Sequence, residues 1–195
     1  MTKSVHGLSA SVVRDFCTLC DKAHEYWINH LELFDNNPRN AEICNSLAGK
    51  EWERLSVISQ EYGLLQIIKL HDKAVMNGNN TLGIEYVLTY DGWSDSVRLS
   101  LETLAKELRD FAKQLVGARN KILSHNDLDT IVAGAVLGDF ADDACEKYFK
   151  DLQDFVNMVH NEVIGGPWRF DDRVENNVAE FLATIKPTLP PMPRS

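Results

Sequence analysis

The stretch Val97-Arg98-Leu99-Ser100-Leu101-Glu102-Thr103-Leu104-Ala105-Lys106-Glu107-Leu108-Arg109-Asp110-Phe111-Ala112-Lys113-Gln114-Leu115 decides the fold class. Val97, Leu101, Leu104, Leu108, Phe111 and Leu115 recur at alternating four- and three-residue steps, and Ala118, Ile122 and His125 extend the series. That spacing puts one apolar seam on one side of a helix, with charged residues around the rest. A seam of this length has to be buried against other helices.

The rest of the chain reads the same way. A helix is expected from about Ser9, a good N-cap residue, to about Phe34, with Val13, Phe16, Cys17, Cys20, Ala23, Trp27, Ile28, Leu31 and Phe34 on one stripe. Asn36-Asn37-Pro38 ends it. A short helix over 40–47 leads into one over 50–72, whose expected core stripe is Trp52, Leu55, Ile58, Tyr62, Leu65 and Ile68 or Lys69. Residues 76–80 read as a loop, with Asn80 capping a short helix over 81–88. After a Gly- and Ala-containing loop, 126–139, an amphipathic helix over 142–164 carries Cys145, Tyr148, Phe149, Leu152, Phe155, Val156, Val159 and Val163, and Gly165-Gly166-Pro167 stops it. A last helix is expected over 171–185. The expected fold is an all-α antiparallel helical bundle with extra short helices. A single domain covers residues 1–186, and the four-proline segment 187–195 reads as a disordered tail.

Composition narrows the function classes. The net charge of −9 argues against broad clamping of nucleic acid, which relies on many Lys and Arg contacts to phosphate, so no DNA binding is expected. Positive charge is nonetheless concentrated in Lys106, Arg109, Lys113, Arg119 and Lys121. The apolar runs fall short of the roughly 20 residues that a bilayer helix needs, and Met1-Thr2-Lys3-Ser4-Val5-His6-Gly7 lacks the apolar core of a signal peptide. A cytoplasmic protein with no membrane partner is expected. Its scattered cysteines Cys17, Cys20, Cys44 and Cys145 would then stay thiols.

Four groups of residues carry chemistry. Cys17, Cys20 and His24 share a helix face and are ligand types for zinc. They also continue the apolar stripe of Val13, Phe16 and Trp27, and burial is the better account, so no metal or other cofactor is expected. Asp139, Asp142, Asp143 and Glu146 can bind a cation, but at a helix start they serve better as caps. His30, His71 and His160 lie on helices without a partner at defined spacing, and His6 is near the start of the chain.

The fourth group is Arg119-Asn120-x4-His125. Arg presents a planar, always-charged fork suited to phosphate, and His moves protons near neutral pH. An amide beside them can orient a phosphate or a ribose hydroxyl. These are the groups that metal-independent RNA cleavage needs: the 2′-hydroxyl attacks the adjacent phosphate, His transfers protons and Arg stabilises the developing charge. The spacing alone decides nothing, because nine Arg and six His yield about one such pair by chance. A solvated helix-end cation and a helix-terminal His are the plain alternatives. Adjacent Arg and Asn, a place at the end of the longest seam, and the turn-forming Asn126-Asp127 add weight.

Around this motif, Gly117 to Asp127, the chain resembles the HEPN superfamily, helical bundles with an Arg-x(4–6)-His motif near a helix end, in its abortive-infection branch. Leu70-His71-Asp72 with its Asn-rich loop, and Phe149-x-x-Leu152-x-x-Phe155-Val156, extend the similarity over about Trp27 to Val163. The resemblance implies a metal-independent endoribonuclease of host-defence or toxin type, acting on RNA as a homodimer. Arg119 and His125 would be catalytic and Asn120 supporting, with a possible antitoxin protein as partner. Some members of the superfamily are inactive and bind a nucleotide or a protein instead. Helix geometry agrees with a dimer: six residues leave Arg119 and His125 about 120° apart and about 9 Å apart along the axis, so a two-fold axis near this end is the economical way to assemble one cleft.

Overall fold

The computed structural model describes residues 8–46, 49–122, 143–172 and 177–184, with backbone alone for 116–122. Helix α1, Ala10–His30, starts where Ser9 turns to an extended conformation and its Oγ accepts the Val12 N–H at 3.3 Å. It passes into a π-helical turn, Leu31–Asp35, closed by the Asn36 N–H donating to the Leu31 carbonyl at 2.7 Å. Asn37 then ends the run. Its amide donates to the Leu33 carbonyl, and its Oδ1 accepts the Arg39 N–H, each at 2.9 Å. Helices α2, Asn40–Cys44, and α3, Gly49–Leu70, follow.

After α3 the structure departs from the expected loop. Strands β1, Val75–Met76, and β2, Asn79–Asn80, form a small antiparallel hairpin in the register Val75 to Asn80 and Met76 to Asn79. Asn77 and Gly78 both adopt positive φ, 50° and 81°, the backbone that a tight hairpin turn demands and that Asn-Gly supplies at least cost. Asn80 is therefore a strand residue and not a helix cap. Helix α4 is shorter than expected, Ile84–Leu88, and has Gly83 at its N-cap.

Helix α5, Asp95–Ile122, and helix α6, Ala144–Val163, carry the two long seams. Leu101, Leu108, Phe111 and Leu115 of α5 are buried, as are Tyr148, Phe149, Leu152, Phe155, Val156 and Val159 of α6. Helix α7 is Val178–Thr184, later than expected because Asp171 and Asp172 lie in a turn. The connection into it is anchored: the Trp168 indole N–H donates to both carboxylate oxygens of Asp21, at 2.9 and 3.0 Å, and Gln153 Oε1 accepts the Phe170 N–H at 2.8 Å. Tail residues 187–195 lie outside the described residues.

Ring contacts fix the helix directions. Tyr26 meets Tyr62 and Phe34 meets Trp52, so α1 and α3 are antiparallel. Phe16 meets Phe155 and His24 meets Phe149, so α1 and α6 are antiparallel. Glu107 pairs with Lys147 at 3.3 Å, while Ser96 and Leu104 lie beside Asn161 and Asp154, so α5 and α6 are also antiparallel. Helix α5 therefore runs parallel to α1, and its last turns lie at the end of the bundle where α1 finishes and α3 begins.

One stripe is corrected. Leu55, Ile58 and Tyr62 of α3 were expected in the core but are 53%, 60% and 44% exposed; Trp52 and Ile68 are buried as expected, and Gly63, Leu64, Ile67 and Leu70 are buried as well. Helix α3 carries apolar residues on two faces, and α1, α5 and the α4 region cover only the one containing Leu64 and Ile67. No described helix is long and apolar enough to cross a membrane.

Candidate functional site

The Arg119-Asn120 pair sits in the last turns of α5, a helix whose seam is buried as far as Leu115. Val97 and Leu104 pack partly buried against the core, and Leu101, Leu108 and Leu115 are fully enclosed. Near its start the Ser94 Oγ accepts the Val97 N–H at 3.4 Å, and the Arg98 guanidinium donates to the Tyr90 carbonyl at 3.1 Å. These contacts anchor α5 from Ser94 to Leu115. The side chains of Arg119 and Asn120, and all of His125, lie outside the described residues.

The basic stretch leading to the motif is partly neutralised. Asp110 receives Lys113 Nζ at 2.8 Å and lies 3.9 Å from Lys106 Nζ. The Lys113 hydrogen bond, ahead of the other nearby cations, holds the Asp110 carboxyl below its usual range. Lys147 is likewise bridged to Asp151 at 2.7 Å and to Glu107. These are solvent-exposed pairs of small energetic weight, but they reduce the positive field along this face.

His71 follows α3 directly and meets α6, its Nε2 lying 3.0 Å from the Tyr148 hydroxyl. Burial, reinforced by the charge of Arg109, lowers His71 to about 4. Burial likewise pushes the Tyr148 hydroxyl well up, with Cys20 and Cys145 adding to it. At neutral pH both groups are uncharged, so the pair cross-links α3 and α6 and His71 is a weak base. A pH dependence of stability follows. Above about pH 6.5 neither folded nor unfolded His71 is protonated, and its contribution is full. Between about 6.5 and 4 only the unfolded chain takes the proton, so stability falls with pH, by about 2 kcal/mol at pH 5. Urea unfolding at pH 7.5 and pH 5 should show a larger loss for the parent than for His71→Asn; parallel losses would refute the assignment.

The other sequence candidates are resolved by packing. Cys17 and Cys20 are wholly buried in the core, and burial raises the Cys20 thiol well above its usual value. Cys145 is pushed up to about 12 for the same reason. His24 instead lines a cavity of about 320 Å³ with Trp27, Phe149, Lys150, Phe170 and Asp171. Its ring lies 5.1 Å from that of Phe170, and burial lowers its pKa against the opposing pull of Asp171. Among the described residues, no group of three or more His, Cys, Asp or Glu could hold a metal. Asp143 occupies the N-cap of α6 but makes no side-chain capping bond, contrary to the expected role; its carbonyl accepts the Lys147 N–H at 2.9 Å. Asp139 and Asp142 lie outside the described residues.

Two buried histidines carried no sequence signal. His30 lies 3.7 Å from Asp35 and packs between Trp27 and Phe34. His160 packs on Trp168 and donates its Nδ1–H to the Gly166 carbonyl at 2.8 Å. The latter bond depends on Gly165 and Gly166, whose φ values of 99° and 77° turn the chain back over the helix end. The Gly-Gly-Pro stop marked the turn, but not the ring that it caps.

Comparison with known proteins yields one relationship. Residues 10–182 match the HEPN family described as AbiU2, which spans all seven described helices apart from the last residues of α7. No curated protein and no solved structure matches the chain. The match covers the bundle from the first turn of α1, and its helical architecture is that of the structure: the chain belongs to the AbiU2 family, an Abi-type branch of the HEPN superfamily.

Proposed function

We propose that the chain is a metal-independent endoribonuclease of host-defence or toxin type, working as a homodimer through the Arg119–His125 face. Family membership carries this reading. It is supported by the chemistry of Arg119, Asn120 and His125 and by the place of Arg119 and Asn120 at the end of α5, beyond its buried seam. In the proposed reaction the RNA 2′-oxygen forms a bond to the adjacent phosphorus while the bond to the 5′-oxygen breaks. One His125 imidazole accepts the 2′-hydroxyl proton, and that of the second copy protonates the departing 5′-oxygen. Arg119 offsets charge on the five-coordinate phosphorus, and Asn120 orients the phosphate. Products carry a 2′,3′-cyclic phosphate and a 5′-hydroxyl. Purified protein should cut RNA in EDTA and leave those ends, as read by end-labelling; cleavage that EDTA abolishes would refute the mechanism.

A second reading, an inactive helical module that binds a nucleotide or a protein partner, is favoured by the net charge of −9 and by Asp110 engaging Lys106 and Lys113. It predicts no cleavage under any of these conditions.

A further inference from the structure

Two helix faces and one short segment line the cavity beside His24. Helix α1 contributes His24, Trp27, Ile28 and Leu31, at i, i+3, i+4 and i+7, and so from one face. Helix α6 contributes Glu146, Phe149, Lys150 and Gln153 at the same spacing, and the segment after α6 adds Phe170 and Asp171. Phe149 and Phe170 are almost fully buried and lie at the floor. Gln153 is committed to structure: its amide donates to Asn157 Oδ1 and the Trp168 carbonyl, and its Oε1 accepts the Phe170 N–H. The walls are thus fixed by the fold. Their volume of about 320 Å³ is near the lower end of the roughly 300–1,000 Å³ typical of small-molecule sites.

The other polar groups of this cavity are uncommitted. Glu146 and Lys150 stand four residues apart on α6, the spacing at which Glu and Lys pair across a helix face. Among the described residues they form no ion pair with each other or with Asp171. Lys147 and Asp151, at the same spacing on that helix, do pair, at 2.7 Å. Trp52, Trp93 and Trp168 each donate the indole N–H to a protein acceptor, whereas Trp27 donates to none among the described residues. The His24 Nδ1 is buried without a partner, so the ring can turn toward a ligand without giving up a hydrogen bond.

These groups select by charge. An anion would face two carboxylates, and a simple cation would face the Lys150 ammonium. A neutral ring would leave all three charges unpaired. A small molecule with an ammonium and a carboxylate on an apolar body satisfies each of them. We propose that this cavity binds a free α-amino acid with an apolar side chain. Its ammonium sits between Glu146 and Asp171, its carboxylate takes Lys150 and the Trp27 N–H, and its side chain packs on Ile28 and Leu31. The site is independent of the ribonuclease reading.

The test is 19F NMR of the full chain labelled with 5-fluorotryptophan, with the Trp27 resonance assigned by Trp27→Phe. At least one of L-leucine, L-isoleucine, L-methionine and L-phenylalanine should shift that resonance saturably, while that of Trp93, buried in the main core, stays in place. Removing either charge from the amino acid that binds, as the corresponding amine or the deaminated acid, should weaken it about 10–100-fold, the worth of a hydrogen bond to a charged group. Lys150→Gln, and Glu146→Gln with Asp171→Asn, all at exposed positions, should weaken the intact amino acid similarly and leave the unfolding midpoint unchanged. A Trp27 resonance that none of the four amino acids moves at millimolar concentration would overturn the proposal. So would equal affinity for the amine, which would make the site one for organic cations, or a shift produced by adenosine or guanosine instead.

Discussion

Replacing His125 with alanine is expected to lower RNA cleavage by about 10²–10⁴-fold, the usual worth of a positioned proton-transfer group, with little change in unfolding midpoint. The argument begins with chemistry. Cleavage by the 2′-hydroxyl needs a group that gains and loses a proton near neutral pH, and among side chains imidazole does so without a shifted pKa. Two of the four histidines that the structure describes are already hydrogen-bonded, and the Nδ1 atoms of the other two, His24 and His30, are buried without a partner. His71 is lowered to about 4 and bonded to Tyr148, His160 is bonded to the Gly166 carbonyl, and burial also lowers His24 and His30. Arg119→Lys tests the partner role, since an ammonium lacks the planar fork that grips two phosphate oxygens. Cleavage undiminished in His125→Ala would remove the proposed mechanism, whatever the fate of the family assignment.

Phe155→Ala should cost about 3–5 kcal/mol of stability, the range for truncating a fully enclosed aromatic ring. Phe155 is completely buried on α6 and meets Phe16 of α1 edge to face, with ring centroids 6.0 Å apart. Leu152, Val156 and Val159 on α6 and Val13 on α1 belong to the same core. Helical backbones on both sides restrain collapse of the resulting cavity, which puts the expected cost toward the upper part of that range. Phe155→Leu, which fills most of the space, should cost markedly less. Urea unfolding of the two variants checks the pair; equal and small losses would mean that the α1–α6 contact is not close-packed.

The sequence and the structure agree where the signal is local. The seams of α5 and α6 were legible because each helix has one apolar face, and a single face leaves no choice about what must be covered. Ser9 was legible as a cap because capping needs only its own hydroxyl and the next three residues. The Asn77-Gly78 hairpin was misread as a loop because its strands are two residues long and have no period to detect. The π-helical turn over Leu31–Asp35 left no trace in the spacing of apolar residues.

By itself, then, the sequence determined the principal helices and their order, since these depend on neighbours three and four positions away. Only the tertiary structure decided which face of α3 is covered. Residues Trp52 to Tyr62 and residues Leu64 to Ile68 offer apolar side chains in different directions, and either set would satisfy a helical pattern. The choice falls to the partners: α1 crosses at Gly63, where Tyr26 lies against the backbone, and this turns Leu64 and Ile67 inward and leaves Leu55, Ile58 and Tyr62 outside. Burial is a contest between faces for a limited number of neighbours, and its outcome depends on residues far apart in the chain.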